Sequence, residues 1–275
     1  MCRWLAYSGA PILLEDILFK PAHSLIDQSM SSKSAETPTN GDGFGVGWYD
    51  DRPTPGLFRS IRPAWNDFNL RDLAAHIESP RFLAHVRATS QAVVQETNCH
   101  PFRWKNWLFV HNGEVFGIEQ FRKKLVQAVA DELFPEMLGT TDSEVMFYLA
   151  LTFGLDADPP GALARMAGFI EATAKEAGIG ESLWMTLGLS DGRVVHALRY
   201  ASDGQAPTLY HSRDVDDAVR WNPQLAGRFS PDTRFIVSEP AGTAVNVWVE
   251  VPQGSYVRVE GEALEIRPFA PVSSD

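Results

Sequence analysis

Cys2-Arg3-Trp4-Leu5-Ala6-Tyr7-Ser8 near the start of the chain and Trp107-Leu108-Phe109-Val110-His111 further on are short, dense apolar runs. Each is too brief for an ordinary helix, and its apolar residues are consecutive instead of alternating, which is how a strand buried on both faces reads. Gly43–Tyr49, Leu57–Ile61 and Phe82–Arg87 share the form, bounded by Gly, Pro, Asn or Asp. Helical spacing appears at Leu70, Leu73, Ala74 and Ile77, and again at Ile118, Phe121, Leu125, Val126, Val129 and Leu133. Thr141 and Glu144 form a Thr-x-x-Glu capping box opening a third helix to Gly154, and a fourth spans Leu163–Ala177. Strands return at Leu183–Leu189, Arg193–Tyr200, Arg234–Val237, Val245–Val251, Tyr256–Val259 and Ala263–Ile266. Strands, then helices, then strands predict an α+β fold of sheets covered by helices in layers. The polar, weakly periodic stretch 201–231 reads as a long surface excursion. No composition shift marks a boundary, so residues 1–275 are expected to form one domain, with its C-terminal strands at about 183–267.

Composition narrows the function. Of 275 residues, 44% are hydrophobic and 21% charged, an ordinary globular balance. Lys+Arg 24 against Asp+Glu 35 leaves a net charge of −11, which repels phosphate backbones and anionic lipid, so neither nucleic acid nor membrane is expected as a partner. No run approaches the roughly 18 apolar residues of a membrane span, and the first residues lack the pattern of a signal peptide; a cytoplasmic protein is expected. Two cysteines, Cys2 and Cys99, build neither a disulfide framework nor a zinc site, so no metal is expected.

Five residues are candidates for chemistry. Methionine before a small side chain is normally excised, which would leave Cys2 with a thiol beside its own α-amine, nucleophile and base in one residue; a penultimate cysteine of no consequence is the alternative. Asn112-Gly113 places an amide side chain and an unhindered N–H at a strand end, where two donors could hold an oxyanion, although Asn-Gly is also the strongest hairpin signal. Arg87 ends an apolar run and could take a carboxylate bidentately or form a structural ion pair. Asp142 falls at a helix start, where acids are common because they complement the helix dipole. Asn40-Gly41-Asp42-Gly43-Phe44-Gly45-Val46-Gly47-Trp48 satisfies no phosphate-loop pattern, so its glycines imply close backbone approach. Cys99 and His100 are adjacent and so point to opposite faces, which makes Cys99 a buried small hydrophobe and not half of a Cys–His pair.

The order of the motifs is more specific than any one of them. Cys-Arg-Trp-Leu from residue 2, the glycine-rich run from Asn40, His85-Val86-Arg87-Ala88-Thr89, Asn98-Cys99-His100-Pro101-Phe102, His111-Asn112-Gly113 and Thr141-Asp142-Ser143-Glu144 together resemble the class II glutamine amidotransferases. The resemblance is to the small stand-alone branch that includes the γ-glutamyl hydrolase of ergothioneine synthesis and the amidotransferase-like subunit of glutathione degradation. Ser238-Glu239-Pro240, Trp248 and Val251-Pro252 look like that branch's C-terminal signature. It extends from residue 2 to about 252 and is weakest between 155 and 233.

The resemblance implies a four-layer αββα N-terminal-nucleophile hydrolase sandwich. It also implies Cys2 as nucleophile with its α-amine as base, Asn112 and Gly113 as oxyanion hole, and Arg87 and Asp142 as anchors for the glutamyl α-carboxylate and α-amine. The catalytic motifs then lie within residues 2–144. The reaction implied is thioester-mediated cleavage of a γ-glutamyl amide of a small metabolite, with no cofactor. Ala88-Thr89-Ser90-Gln91 departs from the run that follows the arginine in the synthase-fused branches, which leaves contacts from Thr89 or Ser90 open. Also open are a glutaminase subunit feeding ammonia to a synthase, a non-catalytic binding module, and a second copy or a synthase or peptidase as partner.

Overall fold

The structure is a computed structural model, described for residues 2–31, 39–89, 93–244 and 246–272. Met1, Ser90 and the first residue of the expected strand Val245–Val251 lie outside the described residues.

The chain runs β1 (Arg3–Leu13), α1 (Leu14–Leu18), α2 (Leu25–Met30), β2 (Phe44–Tyr49), β3 (Gly56–Ser60), α3 (Phe68–Ala74), β4 (Glu78–Val86), β5 (Phe102–Trp104) and β6 (Trp107–Val115). It continues through α4 (Arg122–Gln127), α5 (Asp142–Thr152), α6 (Pro159–Glu176), β7 (Leu183–Ser190), β8 (Val195–Ala201), β9 (Tyr210–Ser212) and α7 (Val215–Trp221). It ends with β10 (Arg234–Val237), β11 (Trp248–Glu250), β12 (Ser255–Glu260) and β13 (Ala263–Pro268). Two antiparallel sheets result, ordered β11-β9-β10-β1-β4-β2-β3 and β13-β12-β8-β7-β6-β5. Both halves of the sequence contribute to each sheet.

The consecutive apolar runs are explained by burial on two faces. Along β1, Leu5 and Tyr7 face a core shared with α1, α2, α3 and α7, while Trp4 and Ala6 face the other sheet. Along β6, Leu108 and Val110 meet that same inter-sheet core, and Trp107 and Phe109 pack beneath α4, α5 and α6. Because successive strand residues point to opposite faces, a strand between two apolar layers must be apolar at every position. The layers therefore run helix, sheet, sheet, helix, the αββα sandwich. Fully burying a large apolar side chain contributes about 1.5–3 kcal/mol, so Trp4, Tyr7 and Phe109, each no more than 1% exposed, are among its main supports.

Some expected elements differ. The spacing from Ile118 to Leu133 does not form one helix: a 3-10 turn covers Ile118–Gln120 and α4 only Arg122–Gln127. Phe121, Leu125, Val129 and Leu133 nevertheless all reach one core, so the period reports a shared face and not an unbroken helix. Thr141 caps α5 by accepting from the Glu144 N–H, but the Glu144 carboxylate accepts from the N–H groups of Leu138 and Gly139, so the box is not reciprocal. The fourth helix starts earlier than expected, at Pro159, capped by Asp158. The stretch 201–231 is no mere surface excursion: β9 joins β10 to β11, and Ala218 and Trp221 of α7 are buried. Elements of three and seven residues are too short to display a period.

Candidate active site

The N-terminal end of β1 lies beside the C-terminal end of β4, since Arg3 pairs with Val86, and Phe44 at the start of β2 pairs with Val86 from the other side. At this end of the sandwich a cavity of about 890 Å³ opens between the sheets, lined by Cys2, Arg87, Gly113 and Asp142. Asn112 lies beside it, 2% exposed and not part of the lining, with its side-chain oxygen unpartnered among the described residues.

Cys2 precedes the first ladder pair. Its Sγ accepts from the Ala88 N–H at 3.5 Å and lies 3.4 Å from the Ala88 carbonyl. Burial pushes the thiol pKa up; the Ala88 N–H and Arg87 pull it down, while Asp142 adds to the rise. The net rise means that the resting group is a thiol and needs a base to become a nucleophile.

Arg87 is held by its backbone, its N–H donating to Gly43 O (2.8 Å) and its carbonyl accepting from Asp42 N–H (3.0 Å). Arg87 is 3% exposed, and among the described residues its guanidinium has only long contacts, 3.3 Å to the Asp42 carbonyl and 3.5 Å to the Val93 carbonyl. No carboxylate pairs with it among the described residues, and the structural ion pair foreseen as the alternative is not formed among them.

Asn112 and Gly113 do not form a hairpin turn. They sit inside β6, opposite Thr186 and Met185 of β7. A Cβ on Gly113 would stand 2.0 Å from the Trp184 carbonyl oxygen, and φ is +154°, so the position requires glycine. Asp142 opens α5, and its Oδ2 accepts from the Val115 N–H at 2.9 Å, which pins the end of β6 to the helix start. Its Oδ1 accepts from the Ser143 N–H and hydroxyl at 2.7 and 3.1 Å. Ser143 in turn bonds His111 Nδ1 at 2.8 Å.

Sequence reasoning gave no role to Asp42 or His111 and weighed His100 only as half of a Cys–His pair that it set aside; all three line the cavity. Asp42 accepts from the Thr89 N–H at 2.9 Å and braces the segment after Arg87; as a lone acid among glycines it was visible but unassigned. His85, His100 and His111 are buried together, with the first two rings 4.2 Å apart. Burial holds all three below the ordinary imidazole value, His85 at about 3, so they are neutral. Cys99 is fully buried, as expected, and its pKa rises to about 11 through burial. The alternating glycines allow close approach: a Cβ on Gly45 would meet the His100 carbonyl oxygen at 2.3 Å. Among the described residues no group of three or more His, Cys, Asp or Glu could hold a metal ion, and no helix is long and apolar enough to cross a membrane.

The arrangement thus joins the thiol of a half-buried cysteine, a buried cation with no carboxylate partner among the described residues, a carboxylate and an N–H on a glycine. Comparison with known proteins gives it context. The family model for class-II glutamine amidotransferases matches residues 16–267, a span that begins after Cys2. The chain is 33% identical over 306 residues to the probable glutamine amidotransferase DUG3 of Saccharomyces cerevisiae, across 98% of this chain and 84% of that one. It is 32% identical over 159 residues to the gamma-glutamyl-hercynylcysteine sulfoxide hydrolase of Mycolicibacterium smegmatis, across 57% of this chain and 65% of that one. Among solved structures, a glutamine aminotransferase class-II domain protein from Silicibacter pomeroyi superposes with a TM-score of 0.74 at 37% identity, covering 98% of this chain and all (100%) of the other. The glutamine phosphoribosylpyrophosphate amidotransferase of B. subtilis has the same fold at 13% identity, TM-score 0.66, covering 98% of this chain and 49% of that one.

Proposed function

Since the chain belongs to the class II glutamine amidotransferases, enzymes that act on amide bonds, we propose that it hydrolyses the γ-glutamyl amide of a small metabolite through Cys2. The observation that carries this reading is Arg87: a buried guanidinium with no carboxylate partner among the described residues, on the same cavity as the thiol. Burying an uncompensated charge costs several kcal/mol, and a substrate carboxylate offsets that cost when it arrives. Arg87 takes the glutamyl α-carboxylate and Asp142 the α-ammonium, which sets the side-chain carbonyl over Cys2.

With Met1 excised, the Cys2 α-amine accepts the thiol proton. Sulfur then bonds to the δ-carbon, and the carbonyl electron pair moves to oxygen. The oxyanion is held by the Gly113 N–H and the Asn112 side chain. The tetrahedral intermediate collapses with cleavage of the C–N bond, and the protonated α-amine gives its proton to the leaving nitrogen. Water attacks the thioester with the amine again as base, releasing glutamate and restoring the thiol. The volume, about 890 Å³, lies at the upper end of the roughly 300–1,000 Å³ of small-molecule sites and leaves room beyond a glutamyl group, which favours a γ-glutamyl compound over glutamine. Sheets built from both halves of the sequence support one catalytic domain.

The test is glutamate release from L-glutamine, γ-glutamylglycine and glutathione by wild type, Cys2→Ala and Asn112→Ala. Cys2→Ala abolishes turnover, and Asn112→Ala lowers kcat by about 10²–10³, the usual effect of losing an oxyanion donor. Activity retained by Cys2→Ala would overturn the reading.

A further inference from the structure

We infer that Arg3 and Glu239 act as a clamp that positions Cys2, holding the peptide group from which its thiol and amine both hang. The inference rests on Cys2 being the nucleophile, and it assigns a role to the Ser238-Glu239-Pro240 motif.

Cys2 lies one residue outside the β1–β4 ladder, whose first pair is Arg3 with Val86. Once a preceding residue is removed, a terminal nucleophile is tethered through a single peptide bond, so the orientation of that peptide plane decides where both reactive groups point. Arg3 Nη1 donates to the Cys2 carbonyl at 2.8 Å. The guanidinium is itself fixed, because its Nε donates to Glu239 Oε2 at 2.9 Å, with both side chains only 4% exposed. His23 Nε2 bonds the other carboxylate oxygen at 2.8 Å, and Gln28 Nε2 donates to the Glu239 carbonyl at 3.4 Å. Ser238 joins the same seam twice: its Oγ accepts from the Trp4 N–H and its N–H donates to the Trp4 carbonyl, both at 3.0 Å. The residues after β10 are thus stitched onto the first residues of β1, with the ion pair at the nucleophile end.

Energetics favour a positioning role over a stabilising one. A buried ion pair repays little of its desolvation cost and is weak evidence for stability, whereas its rigid fork fixes geometry. Arg3 does not line the cavity, and its contact toward the site is the bond from Nη1 to the Cys2 carbonyl, so it acts through Cys2. Displacing a reacting group by about 1 Å costs on the order of 10² in rate, and the loss appears in the chemical step and not in binding.

The test uses Arg3→Met, Arg3→Lys and Glu239→Gln in the full chain, with γ-glutamylglycine and L-glutamine as substrates. Arg3→Met is expected to lower kcat by about 10²-fold while KM changes by less than about threefold. Arg3→Lys recovers part of the loss, as does guanidinium ion added to Arg3→Met below denaturing concentration. Glu239→Gln, which keeps an acceptor for Arg3 but loses the charge, is expected to lower kcat by about tenfold. If Arg3→Met does not fold, Glu239→Gln decides by the same split of kcat from KM. Full kcat in the soluble variants, a loss confined to KM, or a loss that follows the folded fraction by circular dichroism without rescue overturns the clamp. Turnover by Cys2→Ala would instead overturn the nucleophile itself, so the two failures are distinguishable.

Discussion

Replacing Arg87 with methionine separates a substrate anchor from a structural cation, because the two roles predict opposite changes in stability. A cation paired with a buried carboxylate leaves that partner stranded when removed, at a cost of about 3–5 kcal/mol. Arg87 instead has carbonyl contacts at 3.3 and 3.5 Å, beyond the 2.7–3.2 Å of good N–H···O bonds. Such contacts contribute on the order of 1 kcal/mol, and relief of the buried charge works the other way. Arg87→Met is therefore expected to lose no more than about 1 kcal/mol of unfolding free energy, or to gain some. Binding suffers far more: two charge-assisted hydrogen bonds to a carboxylate, at about 1.5–3 kcal/mol each, correspond to a fall in kcat/KM of about 10²–10⁴. The assay is urea unfolding with and without L-glutamate, beside kcat/KM on γ-glutamylglycine. Glutamate at 100 times its Kd stabilises wild type by about 2.7 kcal/mol, and the same concentration leaves the variant unchanged. A variant that loses 3–5 kcal/mol while its folded fraction keeps wild-type kcat/KM would refute the reasoning.

Gly113→Ala forces a methyl to within 2.0 Å of the Trp184 carbonyl oxygen, so β6 must shift from β7. Stability drops by about 1–3 kcal/mol or more and kcat collapses with it, seen in melting temperature and initial rates. In Asp142→Asn one of the two oxygens that accept from Val115 and Ser143 becomes a donor facing a donor. Both thermal stability and kcat/KM should fall, by about 1–3 kcal/mol for the unpaired group; unchanged stability would contradict the brace. The buried histidines set an acid limit. Folding favours neutral His85, His100 and His111, so their stabilisation is full above the ordinary value of 6.5 and is lost as pH falls below it, for His85 down to about 3. From pH 7.5 to 5.5 His85 alone accounts for a loss of about 1.4 kcal/mol, to which His100 and His111 add in the same direction, readable by urea unfolding; a change under about 1 kcal/mol would count against it.

Burial pattern was the most legible layer of the sequence. Trp4-Leu5-Ala6-Tyr7 and Trp107-Leu108-Phe109-Val110 are apolar at every position because both faces of each strand are covered, and that demand is written residue by residue. The order of six short motifs identified the family, since each motif marks a place where backbone geometry or a polar group tolerates few residue types. Elements with a weak period escaped notice: α7 and β9 are too short to show one, and the spacing from Ile118 to Leu133 overstated the length of α4.

At the cavity, residue type and motif order, through the family resemblance, could name Cys2, Arg87, Asn112, Gly113 and Asp142 but could not say what each would touch. Whether Asn-Gly turns a hairpin or continues a strand was settled by β7, which pairs with it from more than seventy positions away. That Arg87 finds no carboxylate among the described residues, and that Asp142 braces Val115, depends on which loops converge at one end of two sheets. Glu239 reaches Arg3 across 236 positions of sequence. Local sequence determines which faces must be buried and which backbone angles are strained, because those costs are paid within a few residues. Pairing, charge compensation and the placement of a nucleophile arise between distant segments, so only the tertiary structure decides them.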